Sequence, residues 1–198
     1  LQRMRDREAN IKRVLLAIRN VNRLITHEKD QTRLLDEICR LLIDTRGFFN
    51  AWIVLVEDGQ PVEPFHHMGF GGTFGEMTRR LLAGDLPLCG HRVLEKKALQ
   101  VICRPNSECG DCPNRPIYHE DRAGLSVPLK HEETIRGWLT VSAPRVFAED
   151  PEEQQLLIEV ADDIGYALQN LRDVESLRES EEQFRSIYNT SADGILIF

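Results

Sequence analysis

Ala51-Trp52-Ile53-Val54-Leu55-Val56, followed at once by Glu57-Asp58-Gly59-Gln60, is the stretch whose reading decides the fold. Six apolar residues, rich in β-branched and aromatic types, read as a strand. The Asp-Gly pair behind them predicts a tight hairpin turn. Pro61–Met68 is then the returning strand. A second pair lies further along: Gly124–Leu129 and Ile135–Ala143 flank the polar turn His131-Glu132-Glu133-Thr134. Gly69, Gly71 and Gly72 make a flexible connection between the two pairs. Thr73 is placed to cap a helix over about Phe74–Ala83. Another short helix is predicted over Cys89–Lys97, a short strand over Leu99–Cys103, and an irregular loop over Arg104–Asp121, where Pro105, Pro113 and Pro116 fall.

Helical patterns bracket this middle. Met4, Ile11, Ile18 and Ile25 recur every seven residues, with Val14 and Val21 between them, which predicts a coiled-coil seam over residues 1–26. Thr26–Asp30 interrupts it. A second helix follows from Gln31 to Thr45 with Leu34, Leu35, Ile38, Leu41 and Leu42 on one side, stopping at Arg46-Gly47. From Pro151, with Asp150 as N-cap, a long helix carries Leu157, Ile164 and Leu171 interleaved with Val160, Ala167 and Val174, a second seven-residue seam. The fold class is therefore α+β, an antiparallel sheet flanked by helices with long N- and C-terminal coiled-coil helices.

The chain has 198 residues, 41% of them hydrophobic, which suits one domain of about 100–150 residues plus extra helix. A net charge of −7 argues against a nucleic-acid surface, which needs a basic patch. No apolar run reaches the roughly 18 residues of a membrane span, and Leu-Gln-Arg-Met-Arg-Asp-Arg-Glu at the start lacks the apolar core of a signal peptide. Position 1 is not Met, so the chain reads as a piece of something longer. Five cysteines, an odd number in a chain this size, suit a reducing cytoplasm rather than a secreted disulfide framework.

Four of those cysteines cluster: Cys89, Cys103, Cys109 and Cys112. Thiolates so spaced suit Zn²⁺ or an iron–sulfur cluster. Cys109-Gly110-Asp111-Cys112 supplies two ligands from one turn, Cys103 is a candidate third and Cys89 a fourth, with His91 a spare nitrogen. A reversible dithiol switch at Cys109/Cys112 and plain packing of small apolar thiols are the alternatives. Cys39, on the Gln31–Thr45 helix beside Leu35, Ile38 and Leu42, reads as core. His66 and His67 are adjacent on a strand, so they point to opposite faces and cannot share one site. Gly69-Phe70-Gly71-Gly72 lacks the Lys-Ser/Thr of a phosphate loop. No catalytic carboxylate pair or Ser/His/Asp set stands out, so no catalytic residue is assigned.

Several of these passages together resemble a GAF domain: Leu35-Asp36-Glu37-Ile38-Cys39, Ala51–Val56, Gly124–Leu129, Ile135–Val141, and Phe147-Ala148-Glu149-Asp150-Pro151-Glu152-Glu153 with Leu156-Leu157. The resemblance covers about residues 29–172 and implies a pocket on one side of the sheet, which in the family holds cyclic nucleotides, tetrapyrroles or other small molecules. Cys89-Gly90-His91 departs from the Cys-His dipeptide that attaches a bilin. Ser180–Tyr188 followed by Ala192-Asp193-Gly194-Ile195 resembles the opening of a PAS domain. The implied organisation is a signalling helix (residues 1–28), a GAF sensor (29–172), and a linker helix with the start of a PAS domain (173–198). Such tandems imply a homodimeric, cytoplasmic signalling protein, especially a histidine kinase, with its catalytic output domain outside these residues. The cofactor is then open: zinc, an iron–sulfur cluster, or a small-molecule ligand. Because the family also includes a free methionine sulfoxide reductase that uses cysteines, an enzyme is the alternative.

Overall fold

A computed structural model describes residues 19–192, with side chains to Ile187. The first eighteen residues of the expected N-terminal seam and the expected strand at the end of the chain lie outside the described residues. Helix α1 is described over residues 19–27, and α2 spans Gln31–Arg46. Asp30 caps α2 by accepting the Arg33 amide at 2.9 Å, and the helix ends at Gly47, whose amide bonds back to the Ile43 carbonyl. The strands are β1 (Asn50–Glu57), β2 (Gln60–Met68), β3 (Gln100–Ile102), β4 (Arg122–His131) and β5 (Thr134–Pro144), in sheet order β2-β1-β5-β4-β3 with every pairing antiparallel. The β1–β2 turn has positive φ at both Asp58 (50°) and Gly59 (78°), the geometry that an Asp-Gly turn favours.

Strand β1 runs between β2 and β5 and is buried from Asn50 to Val56. That explains why Ala51–Val56 is continuously apolar and not alternating: both of its faces are covered. On the inner face, Ala51, Ile53 and Leu55 join Leu125, Val127 and Leu129 of β4 and Leu139 and Val141 of β5. Against them pack Leu34, Leu35, Ile38, Cys39 and Leu42 of α2 and Val21 of α1. Helix α7 (Pro151–Ala192) adds Leu157, Val160, Ala161, Ile164, Ala167 and Leu168. The outer face carries Trp52, Val54, Val56 and Trp138. It is covered by α3 (Gly75–Leu82), α4 (Leu88–Lys96) and the short α5 (Pro105–Glu108), with Phe74, Met77, Leu81 and Val93 buried there. A single turn, α6 (Arg145–Ala148), leads from β5 towards α7.

Asp150 caps α7 through the Glu152 amide at 2.9 Å. The seven-residue pattern of α7 divides into two parts. Up to Leu168 it is the stripe that packs on the sheet, with Leu171 half-buried beside it. Beyond that Val174, Leu177, Phe184 and Ile187 are exposed, on helix that continues unbroken through Ser180–Ala192. Likewise Val21 of the first seam is fully buried in the domain core. A heptad and a core-facing globular stripe differ little over three turns, so sequence alone does not separate them.

Two local expectations are corrected. Thr73 does not cap α3: its hydroxyl donates to the Phe70 carbonyl at 2.7 Å, and Phe74 occupies the cap position because its ring is drawn into the outer core beside Trp52. The loop Arg104–Asp121 is not wholly irregular. Pro105 starts α5, where its missing N–H costs nothing, and a 3-10 turn forms over Arg115–Ile117.

Helix α7 touches β4 most closely at Gly165, where a Cβ would stand 2.2 Å from the Lys130 carbonyl oxygen. Gly165→Ala therefore has to push α7 away from the sheet. We expect a loss of about 1–3 kcal/mol in urea unfolding, the usual overpacking cost. A neutral result would contradict this close approach.

Candidate functional site

Strands β1, β5 and β4 place Trp52, Thr140 and Gly124 on the outer sheet face, where α4 and the loop after β3 close over them. Helix α4 lies close to the sheet because residue 90 is glycine: a Cβ there would stand 2.8 Å from the Trp138 ring. That approach seats the neighbouring Cys89 against the sheet, almost fully buried. Cys109 caps the end of α5, and Cys112 follows in a turn closed by the Cys112 amide on the Cys109 carbonyl at 3.0 Å. Cys89, Cys109 and Cys112 thereby come to line one small, partly enclosed pocket of about 20 Å³, together with Asn114, Tyr118 and Thr140. Cys109 and Cys112 also line an open groove of about 450 Å³ on the solvent side, with Arg80, Asp85, His91, Glu108 and Asp111. The Cys109–Cys112 turn is thus the wall between groove and pocket.

Cys103 is not among the pocket-lining residues. It sits just past β3, and its carbonyl accepts from the Arg145 guanidinium at 3.2 Å. The four-cysteine set expected from spacing is therefore brought together only in part. Cys103 follows a strand end that continues along the sheet edge, while Cys109 is carried back over the face by α5. Cys39 packs in the inner core, as its helical position implied. Of the histidine pair, His66 is buried with Nδ1 2.8 Å from the Asp36 carboxylate, while His67 stacks on Phe74 at 4.1 Å. Burial pushes the His67 pKa down.

Arginines hold the cysteine loop in place. Arg80 bonds the Asp111 carbonyl at 3.1 Å and pairs with Asp85 at 2.6 Å. Arg115 bonds the Gly110 carbonyl at 2.7 Å, and Arg122 the Ile117 carbonyl at 3.2 Å while stacking over Phe49. Asn106 donates to the Tyr118 carbonyl at 2.9 Å.

Burial pushes the Cys89 thiol up to about 12, with Cys112 and Cys109 adding to the rise. Burial does the same for Cys109, also to about 12, helped by Cys112 and Glu108 and opposed by Arg92 and Arg115. The Cys112 thiol is raised by burial, against hydrogen bonds from the Asn114 and Arg115 amides. All three are therefore neutral thiols near pH 7, weak nucleophiles on their own. Asn114 is 2% exposed, and neither its side-chain oxygen nor its nitrogen has a hydrogen-bond partner. Sequence reading did not single out Asn114, Tyr118 or Thr140, which line the same pocket. Only the position of Asn114, two residues past Cys112, hinted at it.

This architecture is an α+β module, an antiparallel sheet with core helices on one face and a pocket beneath short helices on the other. The GAF-domain family model matches residues 28–169, and the chain belongs to that family. No curated protein matches it in sequence. Solved structures similar to it include the GAF domain of a phosphoenolpyruvate-protein phosphotransferase (ptsP) from Coxiella burnetii, at 13% identity and TM-score 0.65, covering 84% of this chain and 99% of that one. The nlh2 GAF domain of A. aeolicus, described as in an inactive state, matches at 12% identity and TM-score 0.57, covering 82% and 97%. A free methionine-R-sulfoxide reductase from Neisseria meningitidis, solved with its substrate, matches at 16% identity and TM-score 0.52, covering 78% and 87%. At these identities the likeness concerns the fold. No described helix is long and apolar enough to cross a membrane.

Proposed function

We propose that this chain is the sensory GAF module of a multi-domain signalling protein of the histidine-kinase type, with a PAS domain following it. Its input is a small ligand, a metal or a redox change at the pocket walled by Cys89, Cys109 and Cys112. Its output is α7, in a homodimer. The observation that carries this reading is the double role of α7. Its first half is part of the sensor's inner core, and its second half presents Val174, Leu177, Phe184 and Ile187 to solvent. A change in sheet packing moves a rigid helix that leaves the domain, and a helix of this kind can pass a rotation or register change to the next module.

The test is hydrogen exchange over residues 174–187 in the chain before and after alkylation of Cys109 and Cys112, with sedimentation alongside. A dimer is expected, dissociated by Leu177→Glu, with exchange on α7 altered by alkylation. A monomer at high concentration, or α7 exchange indifferent to the thiols, would overturn the reading. The three converging thiols also favour a second reading, a cysteine-dependent reductase. Turnover of free methionine sulfoxide with a dithiol reductant, lost in Cys112→Ser, is the result that reading requires.

A further inference from the structure

The Cys109–Cys112 turn is shared by the open groove and the small pocket behind it, whereas Cys89 lines the pocket alone. A reagent arriving from solvent therefore meets Cys109 and Cys112 first. We propose that these two residues form a reversible disulfide with one another, by exchange with low-molecular-weight disulfides, and that this bond is the redox input of the module. This rests on reading the thiol pocket as the input site.

The backbone sets the two cysteines at bridging distance. The Cys112 amide bonds the Cys109 carbonyl at 3.0 Å, which closes a four-residue turn with Gly110 and Asp111 at its centre. Gly110, at φ 54°, takes the left-handed conformation that glycine adopts without strain. The two ends of such a turn lie within about 7 Å between Cα atoms, and a disulfide spans roughly 4.4–6.8 Å. Both residues line the same small pocket and pack against the outer core. Cys112 adds to the rise that burial causes in the Cys109 pKa, as a neighbouring titratable sulfur does.

The turn is also held from outside. Arg115 bonds the Gly110 carbonyl at 2.7 Å and Arg80 bonds the Asp111 carbonyl at 3.1 Å. A turn already ordered in this way loses little further chain entropy when the bridge closes. The surroundings favour the bridged state as well. Trp52, Ile102 and Pro105 make the pocket wall apolar, and a disulfide carries no charge. Strongly oxidising couples owe their potential to a stabilised thiolate in the reduced form, and burial withholds that stabilisation here.

Cys112 is the attacking residue, because its sulfur has the Asn114 and Arg115 amides and the Arg80 guanidinium to favour a thiolate. It loses its proton to solvent and attacks the disulfide of the reagent. A mixed disulfide forms on Cys112 Sγ and one small thiolate leaves. Cys109 then loses its proton and attacks Cys112 Sγ, expelling the second small thiolate. The chain is oxidised by two electrons, the reagent is reduced by two, and the two protons end on the two thiols released. Cys89 and Cys103 take no part.

The test incubates the reduced chain in mixtures of hydroxyethyl disulfide and mercaptoethanol, then unfolds it in acid and traps the remaining thiols with a maleimide. Intact mass counts the trapped thiols and peptide mapping locates the bridge. As the disulfide fraction rises, two of the five cysteines should escape trapping, mapping to Cys109 and Cys112, and excess mercaptoethanol should restore them. Cys109→Ser should stop at the mixed disulfide on Cys112. Cys112→Ser should slow the first step at least tenfold, and Cys103→Ser should behave as the parent chain. Circular dichroism checks that each variant is folded. No bridge within one chain at any mixture, a bridge that maps to Cys89 or Cys103, or a bridge between two chains overturns the proposal. If the bridge forms as expected but leaves hydrogen exchange on α7 unchanged, the disulfide stands and the input reading falls. If no bridge forms while alkylation still alters α7, the input reading stands and the disulfide falls.

Discussion

Trp138→Ala is expected to remove about 3–5 kcal/mol of stability, the range for deleting a buried large aromatic. Trp138 is fully buried at the centre of the outer core, edge-on to Trp52 with centroids 6.1 Å apart. Its ring is also the surface on which Gly90 rests. The substitution therefore leaves a cavity beneath α4 and loosens the segment that seats Cys89. Two readouts follow. The urea midpoint should fall with little change in slope, and Cys89 should become accessible to a thiol reagent at urea concentrations where the parent protein protects it. Trp138→Phe keeps part of the contact and should lie between the two. A loss below about 1 kcal/mol would show that α4 does not depend on this ring.

Arg46→Ala is expected to cost about 3 kcal/mol or more, for a different reason. Arg46 ends α2 and Glu153 lies in the first turn of α7, and the two side chains form an ion pair that is only 8% exposed on each side. Removing the guanidinium takes the arginine out of a buried ion pair with the Glu153 carboxylate, and breaking one side of a buried pair typically costs about 3–5 kcal/mol. The positive end of α7 softens this, because an acidic group there is favoured by the helix dipole. The double variant Arg46→Met, Glu153→Met removes both charges and should recover most of the loss. If the double variant is as unstable as the single one, the cost comes from packing and not from the broken ion pair. The pair ties the helix before the sheet to the helix that leaves the domain, so the same variants probe the rigidity of the proposed output.

The legibility of these features differs by region. Ala51–Val56, the Asp58-Gly59 turn and the paired segments around His131–Thr134 could be read directly, because strand composition and turn chemistry are local. The order of strands in the sheet, which sets β5 between β1 and β4, is not local, and no single stretch of residues carries it. The ends of α2 and α7 were also visible, through Gly47 and Asp150. Thr73 misled because a hydroxyl before a helix is a good cap in isolation, while burial of Phe74 outweighs one hydrogen bond.

For the pocket, cysteine spacing pointed to the segment that lines it, while Cys103 of that set is not among the lining residues. Spacing measures distance along the chain. Whether a thiol reaches the pocket depends on the direction in which α5 and the sheet edge carry it, and these part company between Cys103 and Cys109. Asn114 carried no chemical signal, because an asparagine in a polar loop is unremarkable until its amide is seen to be buried without partners.

The seven-residue patterns show the same division. By itself the sequence determined that α7 is long, helical and apolar along one stripe, since helical periodicity is a property of neighbouring turns. Only the tertiary structure decided which part of that stripe belongs to the domain's own core and which part is left for another surface. The close approach of Gly165 to Lys130 holds the first half of the helix on the sheet. Leu171 is half-buried against the inner core, and beyond it the apolar residues Val174, Leu177, Phe184 and Ile187 meet solvent.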